Sequence, residues 1–314
     1  MGLYLGIDTS CYTTSVACVD ERGIVYDKRT MLSVKMGEIG LRQSEGLFQH
    51  TRNLDTLLTK AMEVINRADI RGVAVSSRPR PAIDSYMPVF LAGRTAASAL
   101  CAGLGLTPQN TSHQQGHVRA ALWSNEALMD GLPVLGMHIS GGTTEIFVIE
   151  PGLSIRLLGG SRDLHAGQFV DRLGVAIGLP FPCGKHLEEL AAEAKQTNIK
   201  LPASVDGLFC SFSGVETAAR ALIGRVQAGE LALAAYDCMA RTFSKIIIRA
   251  AAETGINQVL LAGGVASSDQ LRKMLHERLA DKNIQLFFGL PELSSDNAVG
   301  VALLAMDRIG KELQ

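Results

Sequence analysis

Charge is scarce in this sequence, and neither sign dominates. Asp, Glu, Lys and Arg make up 19% of its 314 residues, and the formal net charge is -1. A stand-alone nucleic-acid binder usually carries a basic stripe. None is present overall, so a nucleic-acid partner must be held by a local patch or with help from another protein. Arg67, Arg71, Arg78 and Arg80 are the one concentrated group of cations, and a solvated basic edge is the competing reading. The six cysteines (Cys11, Cys18, Cys101, Cys183, Cys210 and Cys238) form no Cys-x-x-Cys pair. A disulfide framework is not expected in so long a chain without a secretory signal. No basic segment precedes the strand-like Leu3–Ile7 run, so no leader is read there. Charges, Gly or Pro interrupt every apolar run before about 18 residues, the length a membrane span needs. The expectation is a soluble, cytoplasmic protein with no membrane partner.

Apolar residues and glycine are plentiful. The chain is 47% hydrophobic and has 32 glycines. That suits one large or two medium domains, with buried sheets and many tight turns.

The apolar pattern runs as follows. Leu3–Ile7 leads into Asp8-Thr9-Ser10, and Thr14–Val19 and Ile24–Lys28 flank the Asp20–Gly23 turn, which predicts a β-meander. Leu47, Leu54, Leu57, Leu58, Ala61 and Ile65 recur at helical spacing. A strand over 72–75, a helix over 90–103 and a helix from His113 complete this half. The pattern then restarts. Val134–Ile139 and Thr144–Ile149 read as strands joined by a tight Ser140-Gly141-Gly142-Thr143 loop. Helices are predicted over 165–178, 214–227 and 231–255, then a strand over 258–261 and a Gly263-Gly264 turn. A helix to Asp281, a short strand and a final helix from Asp296 or Asn297 close the chain.

Strand, hydroxyl-rich loop, strand thus occurs twice, and such internal duplication decides a fold. Either loop alone reads as an ordinary hairpin. Two similar α/β halves that each open this way describe the actin-like ATPase (ASKHA) fold, two lobes around a nucleotide-binding cleft. The halves are expected at 1–129 plus 297–314 and at 130–296. Short loops without bulky side chains let backbone N–H groups converge on phosphates. Thr9, Ser10, Ser140, Gly141 and Gly142 are the candidates for that role, and Gly263-Gly264 would let backbone approach an adenosine.

Several motifs stand together: Gly6–Cys11, His113-Gln114-Gln115-Gly116-His117, Ser140–Thr144, Asp163 with Ala166-Gly167 and Asp171, Ser211–Gly214, Ala262–Val265 and Ser295-Asp296-Asn297. In order and spacing they resemble the TsaD family of tRNA threonylcarbamoyl transferases, once labelled glycoproteases, nearly end to end. His113 and His117 are four residues apart, so on a helix they share a face about 5–6 Å apart and can hold one metal ion. Two unrelated surface histidines are the alternative. The resemblance implies a third ligand, Asp296, from the far side of the cleft. It implies one Fe2+ or Zn2+ per chain, since both suit two histidines and a carboxylate with open positions. It also implies that Asp171, Gly142 and Gly184 bind the adenylate ribose and phosphate, with Ser268 at a further nucleotide position. Asp8 reads either as holding a phosphate-bound cation such as Mg2+ through water, or as a turn aspartate bonding its own backbone. The implied ligands are ATP, ADP or a carbamoyl adenylate, and the implied partners are tRNA and either other proteins or a second copy through first-half helices.

The sequence departs from the family pattern in the cleft. Tyr12-Thr13 replace an Asp-Glu pair, Thr143 a His, Leu164 an Asp, and Arg78-Pro79-Arg80 a Gly-Pro-Gly loop. Cys183-Gly184 replace Gly-Gly, Lys185 a Pro, and Ser268 an Asn. Fewer acids and more cations make the cleft more positive, which implies a divergent paralogue. Other readings are a carbamoyl transferase with a different acceptor, a non-catalytic partner subunit, and a kinase using Asp8 or Asp171 as base. A zinc protease is disfavoured because Gln114 stands where its catalytic Glu would be. Cys11 or Cys183 as a nucleophile is less favoured than packing.

Overall fold

The computed structural model describes residues 2–10, 12–34, 41–82 and 84–312. Cys11 lies outside them. In chain order the elements are β1 (Leu3–Ser10), β2 (Thr13–Asp20), β3 (Gly23–Met31), α1 (Gln43–Val64), β4 (Ile70–Ser76), α2 (Phe90–Leu104), β5 (Gln109–Thr111), α3 (His113–Trp123) and α4 (Ala127–Asp130). There follow β6 (Val134–Ile139), β7 (Thr144–Glu150), β8 (Ser154–Ser161), α5 (Ala166–Ala176), α6 (Gly184–Glu193), β9 (Ser204–Asp206), β10 (Phe209–Ser211) and α7 (Ser213–Arg220). The chain ends with α8 (Ala228–Thr254), β11 (Gln258–Ala262), α9 (Asp269–Leu279), β12 (Gln285–Phe288), α10 (Pro291–Ser294) and α11 (Val299–Glu312).

Two compact units result, Met1–Ser124 with Glu292–Gln314, and Asn125–Pro291. Both junctions therefore fall earlier than the expected 129/130 and 296/297. Asp296 belongs to the first unit, not to the second half, because the stretch entering α11 packs with that unit.

In the first unit the described strands form a sheet in the order β3-β2-β1-β4-β5. The β1–β3 meander is antiparallel, and β4 and β5 run parallel to β1. Side chains alternate across a strand. Leu3, Leu5 and Ile7 therefore face a core with Leu54, Leu57 and Ala97 of α1 and α2. Tyr4 faces the other layer, with Ala120 of α3 and Val299, Ala302 and Leu303 of α11. Burial on both faces explains why every residue of β1 is buried.

In the second unit the order is β12-β11-β6-β7-β8-β10-β9. Its stretch β8-β7-β6-β11-β12 repeats the first sheet's order with the same strand senses. The duplication legible in the sequence is thus present as matching topology. The 27-residue α8 runs through this unit's core, where Phe169, Phe212 and Phe243 pack in series. Fully burying such a side chain contributes roughly 1.5–3 kcal/mol.

Some predicted bounds differ. The helix predicted over 214–227 stops at Arg220, and Gly224 then adopts φ 74°. The last helix begins at Val299, because the Asn297 side chain is spent capping it. Among the described residues no helix is long and apolar enough to cross a membrane.

Candidate functional site

The His113/His117 helix begins under tight control. Ser112 and Gln115 form a reciprocal capping box at its start. Before it, the carbonyls of Arg78 and Pro79 accept hydrogen bonds from the amides of His113 and Gln114, at 2.9 and 3.0 Å. The Arg78-Pro79-Arg80 loop therefore seats the first turn of α3. Further along, Arg119 makes a bidentate pair with Asp307 of α11, at 2.6 and 3.0 Å. The two helices approach so closely that a Cβ at Gly300 would collide with the carbonyl of Gly116, the residue just before His117.

That packing brings Asp296 to the histidines from within one unit. Asn297 holds the connecting segment: its amide donates to the carbonyls of Leu293 and Ser295, both at 2.8 Å, and its oxygen accepts from the Val299 amide at 3.0 Å. The Nε2 atoms of His113 and His117 are 3.0 Å apart. Asp296 Oδ1 lies 3.4 Å from the first and 3.3 Å from the second. His113, His117 and Asp296 form a group whose ligand atoms are close enough to hold one ion. Adjacent ligands at about 2.0–2.2 Å from a shared ion stand roughly 3–3.5 Å from each other, so this donor set fits.

The electrostatics follow from burial and proximity. Burial opposes charge on His113, but Asp8 and Asp296 outweigh it and raise its pKa to about 10. Burial and the neighbouring His113 charge hold His117 low. Burial likewise opposes ionisation of Asp296, yet the two histidines bring its carboxyl far below the usual range.

Asp8 sits beneath this group, fully buried. Its Oδ2 accepts from Ser10 at 2.5 Å, and its Oδ1 accepts from Ser76 and from His113 Nδ1, the latter at 3.1 Å. Among the described residues its bonds go to these side chains. Thr9 is also occupied: its hydroxyl donates to Val89 O and accepts from the Gly93 amide at the start of α2. The Thr9 and Ser10 hydroxyls thus hold the unit together.

In the second unit the Ser140–Thr143 loop closes on itself through the Ser140 amide and the Thr143 carbonyl, 2.8 Å apart. The Gly142 amide reaches Ser140 Oγ at 3.3 Å. Gly263 has φ 98°, and a Cβ there would strike Ile139 O and His138, so that turn demands glycine. Gly141, Gly184 and Gly264 differ. None has a positive φ, and a Cβ on any of them would meet nothing within 4 Å. The space on the side-chain side of each Cα is open. Asp171 accepts the Cys183 amide at 2.8 Å, and burial raises its pKa. Ser268 Oγ accepts from Leu271 N as the cap of α9 and donates to Glu188 at 2.8 Å, so this hydroxyl is engaged internally. Lys185 is solvent-facing beside Glu189.

One sequence reading changes, and the packing reading of Cys183 holds. Arg67 and Arg71 flank the start of β4, whereas Arg78 and Arg80 follow its end. At about 3.3 Å per residue the strand separates the pairs by roughly 20 Å, so the four cations do not form one patch. The Cys183 thiol is buried and shifted up to about 11 by burial and then by Asp171, which leaves no thiolate nucleophile there.

Three residues were not singled out by sequence. Ser76 and Glu188 carry no local motif. His50 could have been found as a polar residue within the buried Gly46, His50, Leu54, Leu57 and Ala61 stripe of α1. It bonds Thr14 through Nδ1 at 2.9 Å, and burial lowers its pKa to about 4.

Comparison with known proteins finds relatives along nearly the whole chain. The sequence profile of the TsaD family, tRNA N6-adenosine threonylcarbamoyltransferase, matches residues 46–303. A curated protein of that description from Nitrosomonas eutropha is 30% identical over 319 residues, covering 98% of this chain and 92% of its own. Its counterpart from Thermococcus gammatolerans is 29% identical over 302 residues, covering 95% and 89%. Among solved structures, the activator of the 2-hydroxyisocaproyl-CoA dehydratase from Clostridium difficile, with bound ADPNP, aligns with a TM-score of 0.62. It is 15% identical, over 99% of this chain and 97% of that one. A ROK family glucokinase from Streptomyces griseus, in complex with glucose and AMPPNP, aligns at 0.52 and 14% identity, over 98% and 100%. These likenesses establish the actin-like ATPase fold.

Proposed function

The chain belongs to the tRNA N6-adenosine threonylcarbamoyltransferase family, and on that premise we propose that it moves a threonylcarbamoyl group from its adenylate to an adenine of tRNA. The observation that carries this reading is the convergence of His113 Nε2, His117 Nε2 and Asp296 Oδ1 within 3.0 to 3.4 Å in one unit. These three residues would hold Fe2+ or Zn2+. When bound, such an ion supplies Lewis-acid polarisation of the carbamoyl carbonyl and an open position for the donor.

The remaining roles fall to the chain's own groups. The open space at Gly141, Gly184 and Gly264 suits close approach of an adenine nucleotide, with amides near the Ser140–Thr143 turn donating to its phosphate. Asp171, which accepts the Cys183 amide, would fix this pocket and accept from a ribose hydroxyl. The nucleotides bound by the activator and the glucokinase support an adenine nucleotide as the ligand of this fold. Such a reaction belongs in the cytoplasm, where tRNA is.

A second reading keeps the donor and changes the acceptor. It is favoured by Arg78 and Arg80 on the loop that seats His113. The deciding experiment supplies metal-loaded protein with threonylcarbamoyl adenylate and tRNA, with and without a cell extract as a source of partner proteins. Nucleoside mass spectrometry then reads the adenines. Modified adenine that disappears in His117→Ala supports the first reading. Donor consumption with tRNA unmodified in both arms selects the second.

A further inference from the structure

Asp8 is fully buried, and both its carboxylate oxygens are hydrogen-bonded inside the protein. Ser10 donates to Oδ2 at 2.5 Å, and Ser76, from the end of β4, donates to Oδ1. The same Oδ1 is 3.1 Å from His113 Nδ1. An ionised carboxylate only accepts hydrogen bonds, so the proton between them rides on Nδ1. His113 Nε2 is thereby left facing His117 Nε2 and Asp296 Oδ1.

We propose that Asp8 is a positioning residue for the His113–His117–Asp296 centre. It fixes His113 in the Nδ1–H tautomer and holds its ring so that Nε2 faces His117 Nε2 and Asp296 Oδ1, where an ion would be held. Ser10 and Ser76 clamp the carboxylate from either side. Imidazole ligands commonly carry such a partner on their second nitrogen, which raises ligand basicity, and losing it costs about 10–100-fold in metal affinity. This gives Asp8 a role beside, or in place of, holding a phosphate-bound cation. The inference rests on the metal reading above.

The test uses Zn2+ alone, titrated against a chromophoric chelator with the full chain. Wild type, Asp8→Asn and Ser76→Ala are compared, and folding is checked by thermal melting. Asp8→Asn should weaken Zn2+ about 10–100-fold, and Ser76→Ala should weaken it less. In parallel, NMR of ring-15N-histidine protein reads the tautomer. His113 in wild-type Zn2+ protein should carry its proton on Nδ1, and Asp8→Asn should broaden or shift that signal while His117 keeps its own. Such a tautomer change is not expected from a purely packing role. Unchanged Zn2+ affinity and an unchanged His113 signal in a folded Asp8→Asn protein would overturn the proposal. If Asp8→Asn does not fold, Ser76→Ala decides by the same two readouts. Wild type that binds no Zn2+ would instead refute the metal reading, and with it this inference.

Discussion

His113 Nε2 and His117 Nε2 stand 3.0 Å apart. Two ring nitrogens stay at that distance when one proton or one metal ion lies between them. In the ion-free protein the proton takes this place, because Asp8 and Asp296 raise the His113 pKa to about 10 against the opposing effect of burial.

Metal affinity should therefore depend on pH. Ligands bind as neutral imidazoles, so below pH ~10 one proton must leave His113 for each ion bound. Affinity should rise about tenfold per pH unit between roughly pH 6 and 9 and then level off. The stability of ion-free protein runs the other way. The folded pKa of His113 lies above the usual 6.5. Its contribution is therefore fully present below pH 6.5 and lost as pH rises through about 10. Thermal melts with EDTA should soften over that window, while melts with saturating Zn2+ should not. A pH-independent affinity would contradict this assignment.

Gly300→Ala should disable the site from a distance. The added Cβ meets the Gly116 carbonyl, so α11 must move off α3 and take Asp296 away from the histidines. Overpacking of this kind costs about 1–3 kcal/mol. Calorimetry should show the loss of stability, and elemental analysis should show that bound metal falls with it. A stable variant with full metal content would mean the helix contact does not set the site.

The two glycines of the Gly263-Gly264 turn should separate cleanly. Gly263→Ala places a side chain at φ 98° against Ile139 O, and should destabilise the protein with or without nucleotide. Gly264→Arg points into open space. It should leave the melting temperature of the free protein nearly unchanged and reduce binding of a fluorescent adenine nucleotide at least tenfold. Undiminished binding would remove this turn from the nucleotide pocket.

Arg80→Glu tests the acceptor. If the loop touches tRNA phosphates, affinity should fall several-fold and the salt slope should shrink by about 1 per lost contact. Metal content should stay the same. No change in tRNA affinity would leave the loop with its observed task, capping the first amides of α3.

Much of this was legible in the sequence for physical reasons. Strand–loop–strand segments repeat in both halves because each sheet is built around an antiparallel meander with parallel strands added beside its first strand. The spacing of His113 and His117 announced a shared helix face, and α3 puts them there. The place of Asp296 was not legible. Its unit is decided by α3–α11 packing, and the decisive contact, Gly300 against Gly116, joins residues far apart in sequence. Nor was the task of Asp8, since its partners Ser76 and His113 come from other elements of the sheet and its cover. Ser268 sat at a position matched to nucleotide binding, yet its hydroxyl is taken by the α9 cap and Glu188, a pairing with no sequence periodicity. The helix predicted to reach residue 227 stops at Arg220, where the amides of Leu222 and Ile223 turn back three residues to Ala219 and Arg220 before Gly224 adopts φ 74°.

The most direct test is metal content per chain, by elemental analysis of wild type and His117→Ala purified side by side. The account predicts about one iron or zinc per wild-type chain and almost none in the variant, with both proteins folded. Equal metal in the two, or none in wild type even after anaerobic reconstitution with Fe2+ or Zn2+, would contradict a site built on His113, His117 and Asp296.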